Sequence, residues 1–182
     1  MKNILKKIGV LIGVLSLTFV GYVAYMLINP VSPKEIVRYS SENSDFEVVY
    51  SRPYKNNRLI FGLEEEGALV PYGKYWRTGA NAATTFQTSS DILFNGESLK
   101  AGKYALFTLP NEDSWTVVLS SESDVFFAIY RPDPKSDVLK TSVYAGNLES
   151  PAEQFTIAFS KVAEVVDMVL MWDKTAVSIP LE

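Results

Sequence analysis

The chain has 182 residues, with 17 basic and 21 acidic side chains, no histidine and no cysteine. Without histidine, serine–histidine and cysteine–histidine catalytic pairs are excluded, as is every metal site that needs an imidazole. Without cysteine, thiolate nucleophiles, iron–sulfur clusters, structural zinc and disulfides are excluded, and we expect neither a cofactor nor a bound metal. A hydrophobic content of 47% indicates a folded chain whose chemistry rests on carboxylates, Arg, Lys, Tyr and hydroxyls.

Residues 8–28 form an uncharged apolar stretch of 21 residues. A helix of this length is about 30 Å long, which matches the hydrocarbon core of a bilayer. Lys2, Lys6 and Lys7 precede the stretch, and no acidic residue occurs before Glu35. Because lysines stay on the cytoplasmic side, we predict a single-pass membrane protein with a cytoplasmic N-terminus. The rest of the chain is then extracytoplasmic, on the periplasmic or cell-surface side, and residues 8–28 make membrane lipid a partner.

A cleaved signal peptide is the alternative interpretation of this segment. Signal peptides usually have a shorter apolar stretch that ends in small residues. Here the exit, 25–30, reads Tyr-Met-Leu-Ile-Asn-Pro, which favours an uncleaved anchor. Gly9 and Gly13 have the spacing of a helix-dimerisation motif, but glycine is common in membrane helices, so the oligomeric state stays open.

The exported part carries a net negative charge. Three of the basic residues precede residue 8, so 14 basic side chains face 21 acidic ones in residues 29–182. A charge of −7 repels phosphate backbones, and we predict no nucleic-acid partner.

We divide the chain into an anchor with a cytoplasmic stub (1–28), a tether (29–45) and a β domain (46–182). Within the tether, Ser32-Pro33-Lys34-Glu35 has the pattern of one capped helical turn. After residue 45, runs of apolar, β-branched and aromatic residues alternate with turn residues and predict strands. These predicted strands are 46–50, 59–61, 75–77, 84–88, 92–94, 97–99, 103–109, 115–119, 126–130, 138–144, 155–159, 162–166, 168–172 and 175–179.

Three of these segments carry specific signals. Asn95-Gly96 lies between apolar runs and predicts a type I′ hairpin. The strand 103–109 is apolar at nearly every position, so we expect both of its faces to be covered. Asp173-Lys174 is expected to join the last two strands. About ten short strands with this spacing predict an all-β fold, either an antiparallel sandwich or a flattened barrel, preceded by one transmembrane helix.

Several motifs are richer in special residues than a plain sandwich requires. They read S-R-P at 51–53, I-F-G at 60–62, L-V-P-Y-G at 69–73 and W-R-T-G-A-N at 76–81. On these motifs the chain resembles a bacterial exported family catalogued as domain of unknown function 2911. The resemblance starts near residue 32 and ends near Pro180, and it implies an all-β exported domain without implying an activity. Two departures are Lys55-Asn-Asn-Arg58, where the family often has K-G-R, and the additional length at 64–68.

The motif residues suggest a binding site. Arginine pairs with carboxylates and phosphates and stacks on aromatic rings. The candidate ligand-binding residues are Arg52, Arg58, Tyr72, Trp76, Arg77 and Asn81, and the candidate ligand is a small polar molecule, either anionic or carbohydrate-like. In the alternative interpretation, these arginines tie loops together through Asp137, Glu149 or backbone carbonyls, and Trp76 belongs to the core.

Gly79 and Asn81 suit a turn with positive φ, and the amides of that turn could equally form an anion nest. The acidic run 64–66 is expected to be a solvated loop, with a calcium site as the lesser alternative.

Three functions fit the sequence. The first is an anchored binding module whose ligand lies near Arg77. The second is a structural or interaction domain of an envelope complex, in which the motifs serve only the fold. The third, and the weakest, is a hydrolase or lyase that uses paired carboxylates such as Asp137 and Glu149, and on balance we do not expect an enzyme.

Overall fold

A computed structural model of the chain describes residues 2–29, 31–123, 128–162 and 164–182. The chain divides into two compact units, Met1–Pro33 and Lys34–Glu182. The first unit contains one helix, α1, at Lys2–Ile28. Its segment Lys6–Met26 has a mean hydropathy of 2.0 and no residue buried against the rest of the chain, so it is long and apolar enough to be a membrane anchor or a signal sequence.

The second unit is built from strands. Their bounds are β1 Lys34–Ser40, β2 Asp45–Ser51, β3 Phe61–Gly62, β4 Val70–Pro71, β5 Thr84–Thr88, β6 Ile92–Phe94, β7 Glu97–Leu99, β8 Gly102–Pro110, β9 Ser114–Ser120, β10 Asp137–Val162 and β11 Val165–Leu181. Two short 3₁₀ turns, Glu64–Glu66 and Pro134–Ser136, lie between strands.

Nine strands form one antiparallel sheet in the order β1-β2-β5-β8-β9-β10-β11-β6-β7. The sheet folds over along β10, whose first part pairs with β9 and whose last part pairs with β11. The two halves then face each other. Phe46 on β2 stacks on Phe159 of β10 at 5.8 Å between ring centroids, and Phe86 on β5 contacts Phe94 of β6 at 5.4 Å. The prediction of an all-β fold is therefore confirmed, and the sheet is a flattened, unclosed sandwich.

Period-two burial explains why these segments form strands. In β2 the side chains of Phe46, Val48 and Tyr50 are buried and alternate with less buried positions. In β8 the side chains from Tyr104 to Thr108 are all buried, which confirms that both faces of this strand are covered. The predicted hairpin is also confirmed, because Asn95 has a φ of 51° and Gly96 a φ of 79°.

The N-terminal edge of the β unit differs from the prediction. Ser32–Glu35 does not form a helical turn, because β1 begins at Lys34 and pairs with β2 over all seven of its residues. Strand β1 thus lies inside the stretch predicted as a tether. Residues 75–77 were also predicted as a strand, but only Trp76 makes an isolated bridge, to Thr108.

The C-terminal third contains fewer and longer strands than predicted. The predicted strands 138–144 and 155–159 are parts of the single strand β10, and 168–172 and 175–179 are parts of β11. Asp173 adopts a φ of 51° at an irregularity of the ladder, so Asp173-Lys174 is a bulge rather than a hairpin turn. The predicted strand 162–166 instead spans the β10–β11 connection, where Val162 pairs with Val165.

Two further points concern the remaining predicted segments. Of the predicted strand 126–130, residues 126 and 127 lie outside the described residues, and 128–130 are not a strand. Phe61–Gly62 and Val70–Pro71, within two of the motifs, form a small parallel pair, β3 and β4, separate from the main sheet. Of the predicted strand 59–61, only Phe61 is in a strand.

Candidate functional site

The Trp76 side chain belongs to the core of the β unit. It is only 8% exposed, and its indole N–H donates to the carbonyl of Gly79 at 3.1 Å. Its ring contacts those of Phe155 at 4.9 Å and Trp172 at 5.7 Å between centroids. A ring buried in this way is not a stacking platform for a ligand.

Arg77 and Asn81 are in direct contact, as the two ends of one turn. The Arg77 guanidinium donates through Nη1 to the Asn81 carbonyl at 2.8 Å. Gly79 and Asn81 have φ angles of 151° and 60°, so the predicted positive-φ turn is confirmed. A Cβ at residue 79 would lie 2.9 Å from the carbonyl oxygen of Ser51, which shows that this position needs glycine for space as well as for conformation.

Arg52 links β2 to β10. Its Nε donates to the Phe155 carbonyl at 3.1 Å, its Nη2 donates to the Thr156 hydroxyl at 2.8 Å, and its Nη1 lies 3.5 Å from the carboxylate of Glu35. The guanidinium therefore satisfies backbone and side-chain acceptors of a neighbouring strand, as the structural interpretation of this residue requires.

Arg58 closes the turn that departs from the family pattern. Asn56 and Asn57 have φ angles of 49° and 58°, and asparagine tolerates this left-handed region better than most residues. Arg58 donates through Nε to the Lys55 carbonyl at 3.0 Å and through Nη2 to the Tyr54 carbonyl. The pair of asparagines thus builds a tight turn without glycine.

Tyr72 lies in the turn after β4, and its amide donates to the Gly62 carbonyl at 2.9 Å. Partial burial of the ring, followed by the charges of Glu112 and Glu66, raises the pKa of the Tyr72 hydroxyl. This acidic setting disfavours an anionic ligand at Tyr72. The acidic run beside it is exposed, as expected, and Glu64 pairs with Lys74 at 3.0 Å.

The carboxylates suggested for a hydrolase lie in different settings on β10. Asp137 accepts a hydrogen bond from Arg131, and Glu149 lies twelve positions further along β10. Asp137 is partly buried, whereas Glu149 is exposed, and no contact between the two is found among the described residues.

A cleft of about 690 Å³ lies at another part of the β unit, and none of the six predicted residues lines it. We call it the end cleft. It is bounded by the β1–β2 turn at 41–44, by Lys161 and Glu164 at the β10–β11 connection, and by Glu182 at the C-terminal end of β11. Its volume falls within the range of about 300–1,000 Å³ that is typical of small-molecule sites.

The floor of the end cleft is aromatic and aliphatic. Tyr39 and Phe46 line it and stack on each other with centroids 6.3 Å apart and ring planes at 18°. Phe159 supports both rings from β10, at 5.9 Å from Tyr39 and 5.8 Å from Phe46. Phe46 is buried and Tyr39 only partly so, which makes Tyr39 the more exposed of the two rings that line the cleft.

The rim of the end cleft is polar and held in shape by its own hydrogen bonds. The Ser41 amide donates to the Ser44 carbonyl at 2.9 Å, and the Ser44 amide donates back to the Ser41 hydroxyl at 3.0 Å. Asn43 lies exposed between them. The Ser41 hydroxyl also donates to the Ser44 carbonyl at 3.0 Å, and the Ser44 hydroxyl bonds to that of Ser90. These two hydroxyls hold the turn together, so the exposed Asn43 amide and the exposed Ser40 hydroxyl are the polar groups that the rim offers to a ligand.

Charge around the end cleft is slightly negative. Lys161 lies 3.5 Å from Glu164 and is the basic side chain of the rim, while Glu42 and Glu182 add two further acids. A cleft with more acids than bases disfavours anions.

Sequence reasoning missed this cleft. The polar run 40–45 was assigned to the tether, because serine, asparagine and glutamate between two apolar runs are typical of any turn. The available signal was the pair of aromatic residues, Tyr39 and Phe46, that flank the run. They face the same side only because β1 and β2 pair as a hairpin, with Tyr39 opposite Phe46.

Comparison with known proteins identifies the family of the β unit but gives no functional precedent. No curated protein and no solved structure has significant similarity to the chain. A family model described as "Protein of unknown function (DUF2911)" matches residues 32–181. This match covers nearly all of the β unit, including the four motifs around Trp76, so the chain belongs to the DUF2911 family.

Proposed function

We propose that the chain is a membrane-anchored extracytoplasmic binding module whose β unit takes a small, neutral, carbohydrate-like ligand in the end cleft. The observation that carries the proposal is the combination of a partly exposed aromatic ring, Tyr39, with the exposed Asn43 amide and Ser40 hydroxyl on the rim. Sugar rings offer an apolar face and several hydroxyls, so a flat aromatic floor and a polar rim complement them.

The charge of the cleft narrows the ligand class. The sequence left both anionic and carbohydrate-like ligands open. Glu42, Glu164 and Glu182 outnumber Lys161 around the end cleft, and Coulomb repulsion acts against a carboxylate or phosphate there. A neutral ligand avoids this penalty and can still accept hydrogen bonds from the Asn43 amide and the Ser40 hydroxyl.

The proposed location rests on the N-terminal segment. Three lysines precede an apolar helix that lacks acidic residues, and this asymmetry favours a cytoplasmic N-terminus with the β unit on the other side. An anchored module on that side would meet polysaccharides of the cell envelope or its surroundings.

The test is calorimetric titration of the detergent-solubilised full chain with neutral oligosaccharides of the cello-, malto- and chito-series. Tyr39→Ala should weaken binding about tenfold or more, the equivalent of about 1.4 kcal/mol. Because Tyr39 also packs on Phe46 and Phe159, Asn43→Ala in the exposed turn is the second variant and should weaken binding without loss of stability. Tyr144→Ala is the control, since Tyr144 is 77% exposed and does not line the end cleft. Equal affinity in all four proteins would contradict the site.

A structural domain is the second candidate, and the contacts of Arg52 favour it. If the whole β unit has only a structural role, none of these saccharides binds. The contacts of Arg52 predict that Arg52→Lys lowers the free energy of unfolding by about 1–2 kcal/mol, because lysine cannot reach both Phe155 and Thr156. Arg38→Lys is the matched control. Its guanidinium pairs with Glu47 at the surface, so the change should cost less than about 1 kcal/mol.

A further inference from the structure

We infer that the end cleft is the middle of a longer groove that takes an extended saccharide chain rather than a single sugar unit. This inference rests on the proposed function and adds the length and the path of the ligand. It comes from two smaller depressions that share lining residues with the end cleft.

The first depression, of about 350 Å³, lies on the outer side of β1, β2 and β5. Ser40 and Phe46 line both this depression and the end cleft, so the two are adjacent at the end of the β1–β2 hairpin. We call it the outer-face depression.

The second depression, of about 330 Å³, lies at the β6–β7 hairpin. Glu182 lines both this depression and the end cleft, which makes them neighbours on the other side. We call it the hairpin depression. The order along the surface is therefore the outer-face depression, the end cleft and the hairpin depression, and a chain-like ligand that follows this order contacts all three.

Each flanking depression offers the same kind of polar group as the end cleft. In the outer-face depression, Arg38, Glu47 and Gln87 form a row across three strands, because Arg38 is opposite Glu47 and Glu47 is opposite Gln87. Arg38 and Glu47 bond to each other at 2.6 Å, which leaves the exposed amide of Gln87 to donate to and accept from a ligand. In the hairpin depression, Ser98 supplies an exposed hydroxyl beside the ion pair of Lys100 and Asp91.

Charge along the groove selects against a polyanion. Each basic side chain that lines it is paired with an acid, as in Arg38–Glu47, Lys100–Asp91 and Lys161–Glu164. Further acids, including Glu42, Asp45 and Glu182, have no basic counterpart among the lining residues. A neutral polysaccharide segment fits this distribution, and a uronic-acid polymer does not.

The experiment compares chain lengths. Disaccharides and hexasaccharides of the cello-, malto- and chito-series, with galacturonate hexasaccharide as the anionic probe, are titrated into the full chain in detergent. The series that binds should do so about tenfold more tightly as the hexasaccharide, since the longer chain adds hydrogen bonds in both flanking depressions. Gln87→Ala and Ser98→Ala should each weaken hexasaccharide binding about threefold to tenfold and leave disaccharide binding unchanged. Ser142→Ala, an exposed serine outside the three depressions, is the control.

The outcomes separate the two proposals. Equal affinity for disaccharide and hexasaccharide, or no effect of Gln87→Ala and Ser98→Ala on the hexasaccharide, would overturn the extended groove while the single-cleft function stands. Tighter binding of the galacturonate hexasaccharide would overturn the neutral-ligand assignment of the groove. Absence of binding by every saccharide would overturn both the groove and the proposed function.

Discussion

The indole rings of Trp76 and Trp172 stack on each other in the core, with centroids 5.7 Å apart and planes at 20°. One ring comes from a motif near the middle of the chain and the other from the last strand. Phe61 packs beside both rings, and Trp115 packs beside Phe61 and Trp76, so distant segments of the chain meet in a single aromatic cluster. The aromatic richness of the motifs therefore has a structural explanation.

The two stacked indoles differ in one hydrogen bond, and this difference predicts unequal mutational costs. Trp76 donates to Gly79, whereas Trp172 Nε1 has no acceptor within the described part of the chain. Replacement by Phe removes similar ring volume at both sites, but Trp76→Phe also leaves the Gly79 carbonyl unpaired. Trp76→Phe should therefore cost about 1 kcal/mol more than Trp172→Phe in urea unfolding followed by circular dichroism. Equal costs would contradict the assigned role of the Trp76 bond.

Replacement by alanine should destabilise the β unit more at Gly79 than at its other glycines. A methyl side chain at this position would combine a strained φ of 151° with a 2.9 Å approach to the Ser51 carbonyl. We expect Gly79→Ala to lower the free energy of unfolding by at least about 1–3 kcal/mol. Gly67→Ala is the control, since Gly67 has a φ of 74° and open space around it, and it should cost less. A Gly79 variant as stable as the Gly67 variant would show that the turn has room to shift.

Tyr50 should make the fold sensitive to alkali. Its hydroxyl accepts from the Ile157 amide at 2.8 Å, and burial raises the pKa of this phenol in the folded chain. Below the phenol pKa of the unfolded chain, about 10, Tyr50 makes its full contribution to the free energy of unfolding. Above that pH the unfolded state loses a proton that the folded state keeps, so the free energy of unfolding falls as pH rises. Tyr50→Phe should flatten the decline of unfolding free energy between about pH 9 and pH 11. Tyr144→Phe changes an exposed position, so the free energy of unfolding of this variant should decline with pH as steeply as that of the parent chain.

The N-terminal helix should remain attached to the mature protein. Residues 25–30 lack the small residues that a signal peptidase needs. Mass spectrometry of the chain extracted from membranes should therefore give the full 20.3 kDa. A shorter mass that begins after residue 28 would identify the helix as a cleaved signal and remove the anchor from the proposal.

Local rules predicted the local elements well. A run of apolar, β-branched and aromatic residues identified β2, a run apolar at nearly every position identified β8, and Asn95-Gly96 identified a hairpin, because each signal depends on residues adjacent in sequence. The long strands were missed because their breaks look like turns. Pro151 and Asp173 suggest strand ends, yet β10 and β11 continue past them through irregular pairing.

The site was harder to predict than the fold. Trp76 and Arg52 were predicted as site residues because their motifs are unusual in composition. The structure explains this composition by tight turns, close approach of the backbone and hydrogen bonds to carbonyl groups. The end cleft brings together Tyr39, Lys161 and Glu182, which are far apart in the sequence. Their proximity follows from the pairing order of nine strands, and residue types alone do not contain that order.

Hydrogen–deuterium exchange of the full chain, with and without the neutral oligosaccharide that binds, tests the central claim most directly. Ligand should slow exchange of amides at 39–46 and 164–168, around the end cleft, and leave the amides of 77–81 unchanged. Slower exchange confined to 77–81 would contradict the end cleft as the binding site and would indicate that the ligand binds at the Arg77 turn.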